Sequence, residues 1–156
     1  MNSLIGGLAG AAFYGFDKAV GAVYDGIRSR QSNSQIKYRI GKPVEPMDKT
    51  YEMALNPELY AQEVAKKYGI NMRGSSQDIT IKFNSNISSG RYGRTVPTNP
   101  TMIEFGPDAL VSEAELANTI AHELNHARSF LRGESAPELP AYQSGNALAD
   151  YIRGGR

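Results

Sequence analysis

At 156 residues the chain is long enough for one domain with a hydrophobic core, and its formal net charge of +1 gives no electrostatic reason to expect a nucleic-acid partner. The sequence contains no cysteine, which excludes disulfides, thiolate metal ligands and a cysteine nucleophile. Any metal site must therefore be built from histidine and carboxylate side chains.

The N-terminal segment differs in composition from the rest of the chain. Residues 1–27 are rich in glycine and alanine, and their uncharged run, residues 2–16, is too short to span a membrane. The segment also lacks the positive start of a classical signal peptide. Two interpretations stay open: a segment that contacts a membrane or packs inside a delivery complex, or a flexible lead-in from a longer parent protein.

A polar stretch and two prolines follow this segment. Residues 28–37 are linker-like in composition, and Pro43 and Pro46 favour an extended backbone. A domain boundary is expected between residues 30 and 50. We therefore assign residues 1–45 to a lead-in and linker, and residues 46–156 to the folded domain.

The first helix of the domain is predicted by its end signals. Asn56 is a good N-cap, Pro57 suits the first helical position, and Gly69 is expected to end the helix. Its predicted buried side comprises Leu59, Val64 and Tyr68.

Two strands are predicted after this helix. Residues 78–84 alternate, with Ile79, Ile81 and Phe83 on one face, and residues 101–105 form a second apolar run. The second strand offers an edge to which an extended peptide could add. Between the strands, residues 91–94 (RYGR) are interpreted as a solvated loop or hairpin arm, with a substrate-binding rim as the alternative.

The next helix carries the most informative pattern in the chain. Ser112 and Glu115 form a capping box at its start, and Gly133 is the expected end. Its apolar stripe comprises Leu116, Ile120, Leu124, Ala127 and Leu131.

The chain's two histidines, His122 and His126, lie away from that stripe. They lie four residues apart, so both occupy the same face of the helix and can converge on one metal ion, usually Zn²⁺. Glu123 is then placed as general base in an H-E-x-x-H pattern.

A catalytic zinc ion requires a third protein ligand, which here must be a carboxylate or a tyrosine oxygen. The downstream carboxylates are Glu134, Glu138 and Asp150. Glu138 begins an apolar-periodic segment, residues 138–152, that is expected to return as a helix alongside the histidines. Spacing favours Glu138, and the alternative role for it is a second capping box with Ser135.

The stretch from Val111 to Ala127, followed by Glu138-x-x-Ala141-Tyr142, resembles zincin-type metallopeptidases whose third ligand is glutamate. More narrowly, residues 56–153 resemble the metallopeptidase-like toxin domains of bacterial polymorphic toxins of the Rhs and contact-dependent inhibition classes. The resemblance implies a small α+β, zincin-like domain with an active-site helix, a returning C-terminal helix and a short antiparallel sheet. It also implies zinc binding by His122, His126 and Glu138.

The sequence and the resemblance together predict a zinc-dependent metallopeptidase that is secreted or delivered into a target cell, without a classical signal peptide. Glu123 is the general base, and Tyr142 or Tyr92 is a candidate donor to the developing oxyanion. The expected partners are a protein or peptide substrate and a cognate immunity protein, but no nucleic acid. The alternatives are a zinc hydrolase of another bond, such as a cell-wall amide, and a non-enzymatic membrane-active module.

Overall fold

The sheet of the domain contains a strand from the stretch that the sequence assigned to the linker. The computed structural model describes residues 36–45 and 55–154, and the glycine- and alanine-rich segment lies outside these ranges. Strand β1 (Lys37–Ile40) pairs antiparallel with a strand of the domain. The folded region therefore includes residues upstream of the predicted boundary at residue 46.

Eight further elements of helix and strand follow β1, with one short 3₁₀ turn (Pro107–Ala109) among them. In chain order they are α1 (Pro57–Lys67), β2 (Arg73–Gly74), β3 (Gln77–Asp78), β4 (Thr80–Phe83), β5 (Arg91–Thr95), β6 (Met102–Phe105), α2 (Glu113–Leu131) and α3 (Glu138–Ile152). The domain is α+β, as predicted. None of the helices in the described ranges is long and apolar enough to cross a membrane.

The main sheet has the strand order β1-β5-β6-β4, and β2 and β3 form a separate two-stranded hairpin. The expected antiparallel pairing is found for β1 with β5 and for β5 with β6, but β4 and β6 run parallel. The prediction that β6 offers a free edge is wrong, because β5 pairs with one side of this strand and β4 pairs with the other.

The hydrophobic core lies between the sheet and the helices. Helix α2 packs against β1, β5 and β6, while α1 contacts both α2 and β4, and α3 packs along α2. In the predicted apolar stripe of α2, Leu116, Ile120, Leu124 and Ala127 are all buried, and Leu131 is partly buried against the core. In α1 Val64 is buried as predicted, whereas Leu59 is 48% exposed and two alanines, Ala61 and Ala65, take the buried positions.

Residues 91–94 do not form a solvated loop, because they belong to β5, an inner strand of the sheet. The other form of that interpretation, a hairpin arm, is confirmed, since β5 pairs antiparallel with β6, the next strand in the chain. Tyr92 and Gly93 are both buried, and Arg94 forms an ion pair with Glu104 of β6 at 3.0 Å. The stretch lacks apolar alternation because its arginines make contacts across the sheet: Arg94 pairs with Glu104, and the exposed Arg91 lies over the ring of Tyr38.

Candidate metal centre

Helix α2 places both histidines in the protein interior. Ser112 caps its first turn by accepting a hydrogen bond from the backbone N–H of Glu115 at 3.0 Å. The helix ends just before Gly133, whose φ of +72° is the left-handed conformation that glycine favours. Both imidazoles are fully buried on the side of α2 that faces α3, away from its apolar stripe.

Helix α3 brings Glu138 to the two histidines. Glu138 is the first residue of the helix, and Pro137 precedes it without a side-chain cap. The alternative role of Glu138 in a capping box with Ser135 is therefore not found. Instead its Oε1 atom lies 3.2 Å from Nε2 of His126 and 3.4 Å from Nε2 of His122.

The three donor atoms form a nearly equilateral triangle, since the two Nε2 atoms are themselves 3.2 Å apart. In tetrahedral coordination at the usual zinc–nitrogen distance, the ligand atoms lie about 3.3 to 3.4 Å from one another. A single proton can form a hydrogen bond between two of these three atoms but not among all three, whereas one cation can bind all three donors. The residues therefore fit a divalent metal ion. Within the described ranges, these three side chains form the single cluster of this kind.

Burial and charge favour the protonation states that metal binding needs. Burial lowers the pKa of His122 to about 3, so this imidazole is neutral at physiological pH. Burial also opposes ionisation of Glu138, but the neighbouring imidazoles outweigh it and hold the pKa of Glu138 below its ordinary value of 4.5. A neutral imidazole and an ionised carboxylate are the forms that bind metal.

Glu123 is fully buried one residue after His122, in contact with β5. Its Oε1 atom accepts a hydrogen bond from the Thr95 hydroxyl at 2.5 Å, while Oε2 has no hydrogen-bond partner among the described residues. Burial raises the pKa of Glu123 well above its ordinary value, and the nearby Glu138 carboxylate acts in the same direction. In the metal-free protein this environment therefore favours the protonated form of the carboxyl group.

Tyr142 lies beside the centre, but its hydroxyl is engaged elsewhere. The phenol ring meets the His122 ring edge to face, with the ring centroids 4.4 Å apart. The hydroxyl accepts a hydrogen bond from the Ile40 N–H at 3.0 Å and donates to the Ile40 carbonyl at 3.4 Å. Tyr142 therefore supports the orientation of His122 and ties α3 to β1.

The other candidates lie away from the centre. Glu134 is exposed and pairs with Arg132 at 3.1 Å, and Asp150 is exposed near the far end of α3. Tyr92, the alternative oxyanion donor, donates its hydroxyl hydrogen bond to the Lys42 carbonyl at 2.6 Å.

Glu115 and Asn118, which precede His122 on α2 by about two turns and one turn, have partners other than the imidazoles. The Asn118 amide donates to the Asn146 side chain, and Glu115 forms ion pairs with Arg39 and Arg153. The Nδ1 atoms of both histidines have no hydrogen-bond partner in the described part of the chain.

Three residues of β1 and β5 that lie against Glu123 or its helix are not predicted by the sequence. Thr95 binds the Glu123 carboxyl group, and buried Arg39 binds Glu115 and, at 3.1 Å, the Thr119 hydroxyl. A Cβ atom on Gly93 would come within 2.8 Å of the Glu123 side chain. A glycine inside a strand often marks such a close approach, and this was the one available signal.

No protein-family profile, no curated protein and no solved structure matches this chain. Its function has to be inferred from its own residues.

Proposed function

We propose that this protein is a zinc-dependent hydrolase that cleaves peptide bonds. The observation that supports this proposal is the convergence of three donor atoms, from His122, His126 and Glu138, within 4.8 Å of one another. The carboxyl group of Glu123, a residue of the same helix turn as the first histidine, completes the set of groups that such a reaction needs.

Three side chains of the centre would bind the metal, and the fourth, Glu123, would transfer protons. His122, His126 and Glu138 would hold the metal, which when bound polarises a carbonyl group and lowers the pKa of water. Glu123 would take a proton from the attacking water and later deliver it to the nitrogen of the leaving amine.

The first test combines metal analysis with hydrolysis of a generic substrate. Purified protein should retain about one zinc ion per chain after dialysis, and should release fluorescent peptides from labelled denatured casein. Glu123→Gln should keep the zinc ion and lose about 100-fold or more of the rate, because it removes the proton acceptor alone. Glu134→Gln is the matched control, since that carboxylate is exposed, pairs with Arg132 and is not part of the donor cluster.

Two results would contradict the proposal. One is the absence of stoichiometric zinc in wild-type protein. The other is equal hydrolysis by wild-type and Glu123→Gln protein.

The resemblance to polymorphic toxin domains supports a more specific proposal, that the hydrolase acts as a toxin on a protein of the target cell. Expression of the wild-type chain inside bacterial cells should then arrest growth, whereas Glu123→Gln at the same expression level should not. Such a toxin requires an immunity protein in the producing cell. Arrest by both chains would instead favour a membrane-active module, and loss of arrest after deletion of residues 1–35 would locate that activity.

A further inference from the structure

Thr95 makes an unusually close pair of contacts to one residue of α2. It is the last residue of β5, it is completely buried, and its hydroxyl oxygen lies 2.5 Å from Oε1 and 3.2 Å from the backbone carbonyl oxygen of Glu123. Both acceptors of this hydroxyl therefore belong to the residue proposed as general base.

The shorter contact decides where the hydroxyl proton goes. A hydroxyl group carries one proton, and a carboxylate is a stronger acceptor than a carbonyl group. When Glu123 takes up a proton on Oε2, Oε1 remains an acceptor and Thr95 can keep its hydrogen bond. Oε1 is thus occupied in both protonation states, and Oε2, which has no partner among the described residues, is the oxygen that exchanges protons.

The Thr95 hydrogen bond is needed because the terminal torsion of a glutamate is soft. Rotation about this bond has broad, roughly two-fold preferences, so packing alone does not fix a carboxyl plane. Gly93 bounds the group on one side, since a Cβ atom there would come within 3.0 Å of Oε2. Besides the backbone N–H of Arg39, which also acts on this carboxyl group, Thr95 supplies a directional side-chain hydrogen bond to it.

We propose that Thr95 is a positioning residue for the general base, holding Oε1 so that Oε2 alone receives and returns the proton. This role rests on the proposed hydrolase function. Misplacing a reacting group by about 1 Å can cost about 100-fold in rate, so loss of the hydroxyl should lower kcat by about 10-fold to 100-fold. Neither the metal donors nor the substrate contacts change, so the zinc affinity and KM should stay within about twofold of wild type.

The test compares Thr95→Val, which removes the hydroxyl, with Thr95→Ser, which keeps it. Hydrolysis of labelled casein should show the loss of kcat in the valine variant and recovery to within about threefold of wild type in the serine variant. Thr119→Val is the matched control, because it removes a buried hydroxyl that binds Arg39 and the Glu115 carbonyl but not Glu123. Thr95→Ala replaces the valine variant if that protein does not fold.

A second readout does not depend on activity. Crystal structures of the zinc-loaded proteins should show one orientation of the Glu123 carboxyl group in wild type and Thr95→Ser, and a rotated or divided orientation in Thr95→Val. An unchanged orientation, or an unchanged kcat, in the valine variant would overturn the positioning role. If wild-type protein binds zinc but hydrolyses nothing, the proposed function fails, and the orientation of Glu123 still decides the role of Thr95.

Discussion

At Gly145, α3 approaches the backbone of α2 closely, and replacement of this glycine by alanine would push the two helices apart. A Cβ atom there would lie 2.1 Å from Oδ1 of Asn118 and 2.7 Å from the Asn118 backbone oxygen. The amide could rotate away, at the loss of its hydrogen bond to Asn146, but the backbone oxygen cannot move independently of the helix. Relieving the second contact requires a separation of about 0.5 Å at normal van der Waals distances.

Two opposing energies determine the effect of Gly145→Ala on stability. Alanine in a helix interior is favoured over glycine by about 1 kcal/mol. Overpacking costs about 1–3 kcal/mol, and the lost hydrogen bond adds about 1 kcal/mol. The free energy of unfolding should therefore fall by about 1–3 kcal/mol, which lowers Tm on the order of 10 °C for a domain of this size.

The same separation moves Glu138, which lies two turns earlier on α3. Because its carboxylate closes the donor triangle at 3.2 and 3.4 Å, we expect zinc affinity to fall about 10-fold to 100-fold, the range found when supporting residues of metal sites are lost. Thermal unfolding of metal-free protein measures the change in Tm, and competition with a zinc-binding dye measures the change in zinc affinity.

The matched control for Gly145→Ala is Gly69→Ala. Gly69 has no neighbouring atom within 4 Å but a φ of +68°, so alanine there costs about 1–2 kcal/mol of backbone strain without touching α3. The zinc affinity of the Gly69→Ala protein should equal that of wild type. A Gly145→Ala protein that is more stable than wild type, or equally tight for zinc, would refute the role of this helix crossing.

Three further predictions concern the ligand, the base and the hairpin. Glu138→Gln should abolish stoichiometric zinc binding while Glu134→Gln should not, as measured by metal analysis after dialysis; the opposite result would exchange their roles. In metal-free protein the pKa of Glu123 is raised by burial, so this residue's contribution to stability falls as pH rises above about 4.5. Glu123→Gln should accordingly gain in free energy of unfolding relative to wild type as pH rises above about 4.5, and urea titrations showing a constant difference would contradict this. Ser75 and Ser76 have φ of +49° and +64°, so the double change to Asn-Gly should raise Tm through a gain of about 1 kcal/mol, and a lower Tm would count against the turn geometry.

Local signals in the sequence predicted the helices well because the responsible contacts are local. The Asn56 side chain accepts from the backbone N–H of Leu59, and Ser112 does the same for Glu115, so each cap lies within four residues. The position of Glu138 followed from the same kind of reasoning, since a short connection must return α3 alongside α2.

Strand β1 could not be predicted because long-range partners determine its burial. Its sequence, KYRI, directs Lys37 and Arg39 into the interior, which composition alone assigns to a polar linker. Arg39 is compensated by Glu115, 76 residues away in the chain. Nothing near either residue in the sequence indicates that pairing. The hydrogen bond from Thr95 to Glu123 escaped prediction for the same reason.

The contacts that bring the metal donors together and the contact that holds Glu123 differ in their separation along the sequence. His126 and Glu138 are 12 residues apart within one helical hairpin, whereas Glu123 is held by a threonine 28 residues upstream, on an inner strand of the sheet. A nascent or partly refolded chain that had formed only α2 and α3 would therefore possess its complete set of metal donors. It would still lack the contact that orients its base. For the proposed hydrolase, metal capture and catalytic competence would thus be separate events in folding, and docking of the hairpin onto the sheet would join them.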